Sequence, residues 1–332
     1  MKITILGGGG FLGRRIATRL VREGQLGGVE ITGLVLFDVA PPRPLEDRAP
    51  FPIRYIGGDV VDLPDEAIPS DTDVVFHLAA VVSAQAEADY DLGRRVNLRG
   101  TDAVIDRCRQ LPKPPRIVFT SSVASFSGGQ GALLADDARQ LPANSYGAQK
   151  AAAELILADA TRRGFLDAVS LRLPTVVIRP GRPNQAASGF FSAILREPLL
   201  GLPADLPVPD DFAVWICSPR RATDWLLHAG AMDTASMGLD RSITPPGLSV
   251  TVAEMLAALE TIRPGATALV ARVRNDAITA IVGEWPSGFV PARATGLGFA
   301  PHEPLVDLVR AFVEDDLAAT LLDRGLPPGS LG

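Results

Sequence analysis

A glycine-rich turn near the N-terminus constrains the fold of this chain more than any other feature. It reads Gly7-Gly8-Gly9-Gly10-Phe11-Leu12-Gly13, follows the apolar run Lys2 to Leu6, and precedes a segment of helical composition, Arg14 to Val21. Glycines with this spacing allow a tight turn, a close approach of backbone N–H groups to a pyrophosphate, and close packing of a helix on a strand. Strand, glycine turn and helix in this order predict a dinucleotide-binding unit.

Further apolar runs extend this beginning into a sheet. Strands are predicted at 31–37, 53–56, 73–80, 116–120 and 168–173. The run at 73–80 is almost continuously apolar, as in a parallel strand that is buried on both faces. Helical segments between the runs complete the pattern of an α/β fold, a Rossmann-type doubly wound parallel sheet.

A change of composition marks the end of this sheet. From residue 179 to about 211 the chain is rich in proline and has no long period. We therefore predict an NAD-binding Rossmann domain over 1–178 with returning segments at about 212–260. A smaller C-terminal substrate-binding region is predicted over 179–211 and about 262–300, followed by a C-terminal helix and tail over 301–332.

The residue that ends the second predicted strand, Asp38, bears on the choice of cofactor. A carboxylate there accepts hydrogen bonds from both ribose hydroxyls of an adenosine and repels a 2′-phosphate, which favours NAD over NADP. Arg43 lies in the following loop, where it could pair with a phosphate, and Asp38 also suits a simple strand-ending turn. The sequence alone leaves the strictness of the preference open.

A tyrosine and a lysine, Tyr146 and Lys150, are placed for proton transfer. Asn144 and Ser145 suit the start of a helix, and a spacing of four residues puts both side chains on one face. An ammonium group stabilises a phenolate, lowering the pKa of a tyrosine below about 10 so that it can take a proton from an alcohol. The same spacing also occurs in ordinary amphipathic helices.

Other residues are candidates of a weaker kind. Ser121 and Ser122 follow a predicted strand, and beside a tyrosine and a lysine we interpret one of them as a hydroxyl donor rather than a turn residue. The arginines at 179, 182 and 196 suit a substrate carboxylate or phosphate, although surface charges often have no such role. We interpret His77 as a strand-end residue without a catalytic role.

Composition argues against several classes of partner. The net charge is −6 without a basic block, which disfavours nucleic acid and an anionic membrane surface. No apolar run reaches the roughly 18 residues of a membrane span, and no apolar leader precedes the first strand. The two cysteines and three histidines have no metal-ligand spacing, so no metal site is expected. A cytoplasmic protein with a small-molecule substrate is expected.

Several motifs in a fixed order resemble those of a known superfamily. The glycine turn, Asp38, Asp59-Val60, His-Leu-Ala-Ala at 77–80, Asn97, the serine pair and Tyr-x-x-x-Lys resemble the extended short-chain dehydrogenases/reductases, which include nucleotide-sugar epimerases and dehydratases. A narrower resemblance, carried by 76–90, 171–184 and 246–256, is to the D-erythronate dehydrogenase branch. That branch oxidises the 2-hydroxyl of a four-carbon sugar acid with NAD.

The resemblance implies a role for each matching residue. Tyr146 would be the base, Lys150 would tune its pKa and hold a ribose, and Ser122 would donate a hydroxyl hydrogen bond. A small acid also needs a partner for its carboxylate, for which Ser83, Thr175 and Arg179 are candidates. The residues expected to contact the cofactor are Gly7, Gly10, Phe11, Leu12, Asp38, Asp59, Val60, Leu78, Ala79, Ala80, Asn97, Tyr146, Lys150, Pro174 and Val177.

These expectations lead to one function and two rivals. The chain is expected to be an NAD-dependent dehydrogenase of a small sugar acid, D-erythronate. An epimerase, a dehydratase or a reductase of another sugar or ketone is the first rival, and a non-catalytic dinucleotide sensor is the second. By the same resemblance, the helices around 97–110 and 146–163 are expected to pair across a two-fold axis in a homodimer.

Overall fold

The computed structural model describes residues 1–181 and 188–327, and they form two compact units. The first unit comprises 1–125, 142–172 and 223–244, and the described residues of the second are 126–141, 173–181, 188–222 and 245–327. These boundaries differ from the predicted ones, since 126–141 and 245–260 lie in the second unit. The binding roles that were assigned to the domains stay predictions.

The strands and helices are numbered in chain order. The strands are β1 (Lys2–Leu6), β2 (Gln25–Leu26), β3 (Val29–Glu30), β4 (Gly33–Asp38), β5 (Ile53–Gly57), β6 (Val74–His77), β7 (Arg116–Ser122), β8 (Leu133–Ala135), β9 (Asp167–Leu173), β10 (Thr175–Val176), β11 (Ala204–Leu206), β12 (Ala213–Cys217), β13 (Ser242–Ile243), β14 (Leu248–Thr251), β15 (Val270–Arg272) and β16 (Gly288–Val290). The helices are α1 (Phe11–Glu23), α2 (Ser83–Ala88), α3 (Tyr90–Arg94), α4 (Gly100–Cys108), α5 (Ser145–Arg162), α6 (Gly189–Leu199), α7 (Pro219–Ala231), α8 (Val252–Ile262), α9 (Asp276–Gly283), α10 (Ala292–Gly296), α11 (Leu305–Asp315) and α12 (Leu317–Asp323).

A seven-stranded parallel sheet organises the first unit. Its order is β13-β9-β7-β6-β1-β4-β5, which confirms the predicted α/β fold with a doubly wound sheet. From β1 the chain continues outward to β4 and β5 on one side and to β6, β7 and β9 on the other. Ligands of such sheets bind outside the carboxyl ends of the strands, at the point where the order reverses. That point lies between β1 and β6.

The helix predicted to begin near residue 96 has a different construction. Helix α3 is followed directly by a π-helical segment (Arg95–Arg99), and α4 then continues the helix to Cys108. Asn97, expected at the start of the helix, lies in the π-helical segment and is buried. Such segments are rare and concentrate at functional sites, and the extra residue per turn leaves no trace in hydrophobic spacing.

The C-terminal helix was predicted as one element and is two. Helix α11 ends at Asp315, and Asp316 leaves helical geometry with φ −125° before α12 begins. The consecutive aspartates are poor helix formers, because their side chains compete for backbone hydrogen bonds. By contrast, helix α8 begins with a complete capping box, in which the Thr251 hydroxyl accepts the N–H of Glu254 and the Glu254 carboxylate accepts the N–H of Thr251.

The second unit has a small sheet and a helical core of its own. Strands β10, β12 and β14 form the sheet, and the pairs β11–β15 and β8–β16 are separate two-stranded sheets. Its apolar core gathers side chains of α6, α8 and α11, among them Ile194, Leu259 and Phe312. Helix α6 was not predicted, because it lies in the proline-rich stretch and contains Pro198.

Candidate active site

The glycine turn has the geometry of an anion cradle. Gly7 has φ +88°, and a Cβ there would lie 2.8 Å from the backbone nitrogen of Ala79, while a Cβ at Gly13 would overlap the carbonyl oxygen of Gly7. Side chains at these positions are therefore excluded. Helix α1 has Gly10 as its N-cap, without a side-chain hydrogen bond, so no cap side chain occupies its first-turn N–H groups. These features fit the pyrophosphate of a dinucleotide.

A pocket of about 720 Å³ opens beside this turn. Asp38 stands in its wall and accepts hydrogen bonds from the backbone N–H groups of Gly9 (2.9 Å) and Val39 (2.7 Å), one on each carboxylate oxygen. Arg14 donates to the carbonyl oxygen of Arg43 (2.7 Å) in the prolyl loop, which also lines the pocket. Asp38, the predicted ribose ligand, and Arg43, which could pair with a 2′-phosphate, thus line the same pocket.

The predicted adenine contacts, Asp59 and Val60, lie in a short 3-10 turn. The Asp59 carboxylate accepts the N–H of Val61 at 3.0 Å and pairs with Arg95. The Val61 hydrogen bond and the Arg95 guanidinium lower the pKa of Asp59. A Cβ on Gly100 would lie 2.7 Å from the Val60 side chain, so this glycine lets α4 approach the turn.

The segment after β6 is fastened by Asn97. Its amide oxygen accepts the N–H of Val81 (2.8 Å), and its amide nitrogen donates to the Val81 carbonyl (3.1 Å) and to Gln149 (2.7 Å). The side chain is thus committed to the backbone after Leu78, Ala79 and Ala80. Whether Asn97 also lines the cofactor stays a prediction.

Helix α5 carries the tyrosine and the lysine as expected. Asn144 caps it by accepting the N–H of Gly147 at 2.7 Å, which confirms the predicted start. The Lys150 ammonium lies 5.7 Å from the centroid of the Tyr146 ring. The two side chains therefore share one face of the first turns of the helix, while the function of Tyr146 as a base stays a prediction.

Lys150 is buried and still hydrogen-bonded. Its side chain donates to the carbonyl oxygen of Thr120 at 2.8 Å and lies 4.5 Å from the centroid of the Phe119 ring. Burial lowers the pKa of Lys150 to about 7, and the nearby Glu154 opposes this shift. With a pKa near 7, the Lys150 side chain changes between its charged and neutral forms within the neutral pH range.

This burial predicts a pH dependence of stability. Between pH 7 and 10.5 the unfolded chain carries a proton on Lys150 that the native chain lacks, so the free energy of unfolding rises with pH. We expect the free energy of unfolding of the parent, minus that of Lys150→Met, to rise by up to about 1.4 kcal/mol per pH unit. Urea unfolding without cofactor from pH 7 to 9.5 measures it. Parallel curves for the two proteins would contradict the burial.

The structure separates the two serines. The Ser121 hydroxyl is buried and donates to the Glu154 carboxylate, so it is a structural partner of that residue. Ser122 is half-buried, and its hydroxyl oxygen accepts the N–H of Ala124 at 3.1 Å. Because its O–H hydrogen is not used in that bond, Ser122 is the better of the two as a donor to a substrate oxygen.

His77 is neutral and inaccessible. Its Nε2 lies 3.1 Å from the hydroxyl of Thr101, which itself donates to the carbonyl of Asn97. Burial, reinforced by the charge of Lys150, lowers the pKa of His77 to about 3. A residue with this environment does not serve as a general base near pH 7, in agreement with its interpretation as a strand-end residue.

The remaining candidates belong to the second unit. Pro174, Thr175 and Val177 are buried in and around β10, and the Arg179 Nε donates to the carbonyl of Val176 at 3.2 Å. The expectation for Arg196 was wrong, since its side chain is 2% exposed and pairs with Glu197 at 2.8 Å. Arg182 lies outside the described residues.

Three residues that position helix α5 were not predicted from the sequence: Glu154, Gly147 and Glu87. Glu154 lies one turn beyond Lys150 and is buried, and a Cβ on Gly147 would overlap the carbonyl oxygen of Ala124. Glu87 in α2 accepts the N–H of Ser145 at 2.8 Å. An acidic residue four positions after the lysine was a visible signal, but only the structure shows that Glu154 is buried.

The described ranges, 1–181 and 188–327, contain neither a cluster of metal ligands nor a membrane-spanning helix. No group of three or more histidine, cysteine or acidic side chains is placed there to hold a metal ion. None of the helices in that part of the chain has the length and apolar composition needed to cross a membrane. Cys108 and Cys217 are unbridged and buried, and burial raises the pKa of the Cys108 thiol to about 12, so it is not a reactive thiolate.

Comparison with known proteins gives consistent relatives. The D-erythronate dehydrogenase of Cupriavidus necator is 44% identical over 322 residues, covering 95% of this chain and 98% of that protein. The D-erythronate dehydrogenase of Haemophilus influenzae is 37% identical over 96% of this chain and all of its own length. A crystal structure described as a nucleoside-diphosphate-sugar epimerase from Agrobacterium tumefaciens has a TM-score of 0.90 and 41% identity, covering 97% of this chain and 96% of its own.

The family follows from a separate comparison. The sequence pattern of the NAD dependent epimerase/dehydratase family matches residues 3–215, about two thirds of the chain. This match and the two dehydrogenase relatives confirm the resemblance to the extended short-chain dehydrogenases/reductases. The cradle at the glycine turn and the sheet order agree with it. The chain belongs to the NAD dependent epimerase/dehydratase family.

Proposed function

We propose that this chain is an NAD-dependent dehydrogenase that oxidises the 2-hydroxyl of a small sugar acid, D-erythronate, to the 2-oxo acid. The observation that carries the proposal is the grouping of Tyr146, Lys150 and Ser122 at the carboxyl edge of the parallel sheet, in the same unit as the glycine turn. The two dehydrogenase relatives, each matching nearly the whole chain, support the choice of substrate.

The side chains divide the work of proton transfer. Ser122 donates a hydrogen bond to the substrate's 2-hydroxyl oxygen, and the Tyr146 phenolate takes the hydroxyl proton. Lys150, held by the carbonyl of Thr120, stabilises the phenolate by its charge. Gly7, Gly10 and the start of α1 would hold the pyrophosphate of NAD. When it is bound, the nicotinamide of this cofactor supplies the acceptor for the hydride from the substrate carbon.

The substrate carboxylate needs a cationic or hydroxyl partner. We propose Ser83, Thr175 and Arg179 as the candidates for this partner. A guanidinium suits a carboxylate through paired N–H donors, and the Nε of Arg179 donates to the carbonyl oxygen of Val176 at 3.2 Å. Ser83 begins α2, directly after the segment that Asn97 fastens.

The test is the appearance of NADH from purified protein, NAD and a panel of four- to six-carbon aldonic and uronic acids. NADH formed from D-erythronate is the expected result. NADH formed only from another acid would keep the reaction class and replace the substrate. No NADH from any acid, with NAD still bound, would overturn the proposal and favour an epimerase, which returns the hydride to its substrate. The Agrobacterium tumefaciens structure is described as such an enzyme.

We further propose that NAD is preferred over NADP because the Asp38 carboxylate accepts the ribose hydroxyls of the adenosine and repels a 2′-phosphate. In Asp38→Ser the repulsive carboxylate is gone, while Arg14 and Arg43 remain in the pocket. We expect the ratio of kcat/KM for NADP to kcat/KM for NAD to rise by about 100-fold, since loss of repulsion and a charge-assisted contact amount to about 3 kcal/mol. Asp47→Ser, which removes a carboxylate outside the pocket, is the control, and an unchanged ratio in Asp38→Ser would refute the role.

We also propose that the protein is a homodimer in the cytoplasm. An apolar stripe on α5 is exposed, with Leu155 at 71% and Ile156 at 37%, and it continues over Ala148 and Ala152. The unbridged cysteines suit a reducing compartment.

A single charge in the α5 stripe tests the dimer. We expect Leu155→Glu to shift the molecular mass measured by light scattering from two chains to one, because a carboxylate cannot be buried there without a partner. Leu322→Glu changes a leucine on another helix that is even more exposed (82%) and is the matched control. A parent that is monomeric at micromolar concentration, or a dimer that survives Leu155→Glu, would exclude this interface.

A further inference from the structure

We propose that Glu154 is a positioning residue that keeps Lys150 charged while the Tyr146 phenol gives up its proton, and that this buried carboxylate thereby sets the pH range of turnover. The inference deepens the proposed dehydrogenase function and rests on it for the kinetic arm of the test. Glu154 has no other assigned task in the site described above.

The first support is how firmly Glu154 is held. Its side chain is 2% exposed, and its carboxylate accepts the hydroxyl of Ser121 and two N–H groups of Arg172, at 3.0 and 2.8 Å. Burying a carboxylate is costly unless it is paired and hydrogen-bonded, and Glu154 has both kinds of partner. The carboxylate is therefore held in place inside the first unit as the ion-pair partner of Arg172.

The second support is the place of this charge. Glu154 follows Lys150 by four residues on α5, which makes the two side chains neighbours on one face. Burial alone pushes the Lys150 amine toward its neutral form, and Glu154 is the group that acts in the opposite direction. The Thr120 carbonyl and the Phe119 ring, which also contact the ammonium, are uncharged.

The titratable groups around Lys150 are few. Tyr146 and Glu154 lie on its own helix, and His77 faces it from β6. The pKa of His77 is about 3, so it stays neutral above pH 5 and contributes no change of charge. Arg172, on β9, acts through its ion pair with Glu154. The Glu154 carboxylate is therefore the negative charge beside Lys150 that a substitution can remove, and its removal also takes an ion-pair partner from Arg172.

The consequence for catalysis follows from the two ways in which Tyr146 and Lys150 together can lose one proton. Loss from Tyr146 leaves a phenolate beside an ammonium, and loss from Lys150 leaves a neutral phenol beside a neutral amine. Only the first form can take a proton from an alcohol. Each unit by which the pKa of Lys150 falls lowers the ratio of the first form to the second about tenfold. Glu154 therefore favours the competent form.

The direct test measures Lys150 without any substrate. The chain has lysine only at positions 2, 113 and 150, and Lys2 and Lys113 are solvent-exposed (45% and 84%). In protein labelled with ¹³C at lysine Cε, three NMR signals are expected, and one should titrate near pH 7, whereas the other two serve as internal references. We expect Glu154→Gln to move that titration at least about one pH unit lower. An unmoved titration in folded Glu154→Gln would overturn the proposal.

The kinetic arm compares pH profiles of kcat/KM with NAD and D-erythronate. We expect Glu154→Gln to lower kcat/KM by about tenfold near neutral pH and to bring the decline on the alkaline side to lower pH, because Lys150 loses its charge earlier. A merely structural effect would lower the curve equally at every pH. Glu154→Asp restores the charge and is expected to return the alkaline limb toward that of the parent.

Ser121→Ala is the matched control, since it removes a hydrogen bond of the same network and leaves the carboxylate. We expect its lysine titration to stay within a few tenths of a pH unit of the parent. An equal shift in Ser121→Ala and Glu154→Gln would assign the effect to packing and reject the role of the charge. Thermal unfolding and NADH binding identify variants that fail to fold. A parent inactive on every acid overturns the proposed function, while the lysine titration still decides the role of Glu154.

Discussion

Replacing Tyr146 with phenylalanine is expected to lower the rate of NADH formation by about 1000-fold and to leave NAD binding nearly unchanged. The substitution removes only the phenol oxygen, and general-base catalysis contributes typically about 10² to 10⁴ in rate. The ring remains beside the Lys150 ammonium, 5.7 Å from its centroid, so the start of α5 is expected to keep its fold. The measurement is kcat from NADH absorbance, together with a fluorescence titration of NADH.

The control for this variant is another tyrosine. Tyr90 is 58% exposed at the start of α3, and Tyr90→Phe is expected to retain full activity. Appreciable turnover in Tyr146→Phe, within about tenfold of the parent, would exclude Tyr146 as the base. Loss of NADH binding in the same variant would mean that Tyr146 holds the cofactor instead.

Replacing Gly13 with alanine is expected to weaken NAD binding by at least about 100-fold. The added Cβ would overlap the carbonyl oxygen of Gly7, so the turn or the start of α1 must shift. Either shift moves the N–H groups that would hold a pyrophosphate, and hydrogen bonds to a charged group contribute about 1.5–3 kcal/mol each. Isothermal titration with NAD measures the change, and circular dichroism checks that the sheet and helices persist.

A graded series separates this effect from a general intolerance of alanine. Gly10→Ala brings a Cβ only to 3.3 Å from the Gly7 oxygen, and we expect a smaller loss of affinity. In Gly283→Ala, at the end of α9, no heavy atom lies within 4 Å of the new Cβ, and we expect unchanged binding. Equal affinities across the three variants would show that the turn does not contact the cofactor.

Much of the first unit could be predicted from sequence because its signals are local. The apolar run at β6 and the glycines before α1 state their conformation within a few residues. The capping of α5 by Asn144 was equally visible, since an asparagine before a helical run is a common N-cap. The doubly wound parallel sheet then followed from the alternation of predicted strands and helices, whereas the order of its strands was not predicted.

The features that sequence reasoning missed depend on distant parts of the chain. Glu154 acquires its role from Ser121 and Arg172, 33 and 18 residues away, and nothing in its own helix indicates that partnership. Strands β8 and β16 are three residues long and pair with each other across about 150 residues. The wrong expectation for Arg196 has the same origin, because only the packing around Glu197 shows that the guanidinium is buried.

The segment division of the first unit has a consequence for protein synthesis. Its sheet ends at β13, and the buried Trp225 and Leu226 also belong to it, so its last pieces arrive after residue 222. At about 5–20 residues per second, a ribosome needs roughly 4–14 seconds to proceed from β9 to the end of this unit. During that interval the nascent sheet has an open edge at β9. Chaperone contact is therefore expected to concentrate on chains stalled between residues 173 and 244.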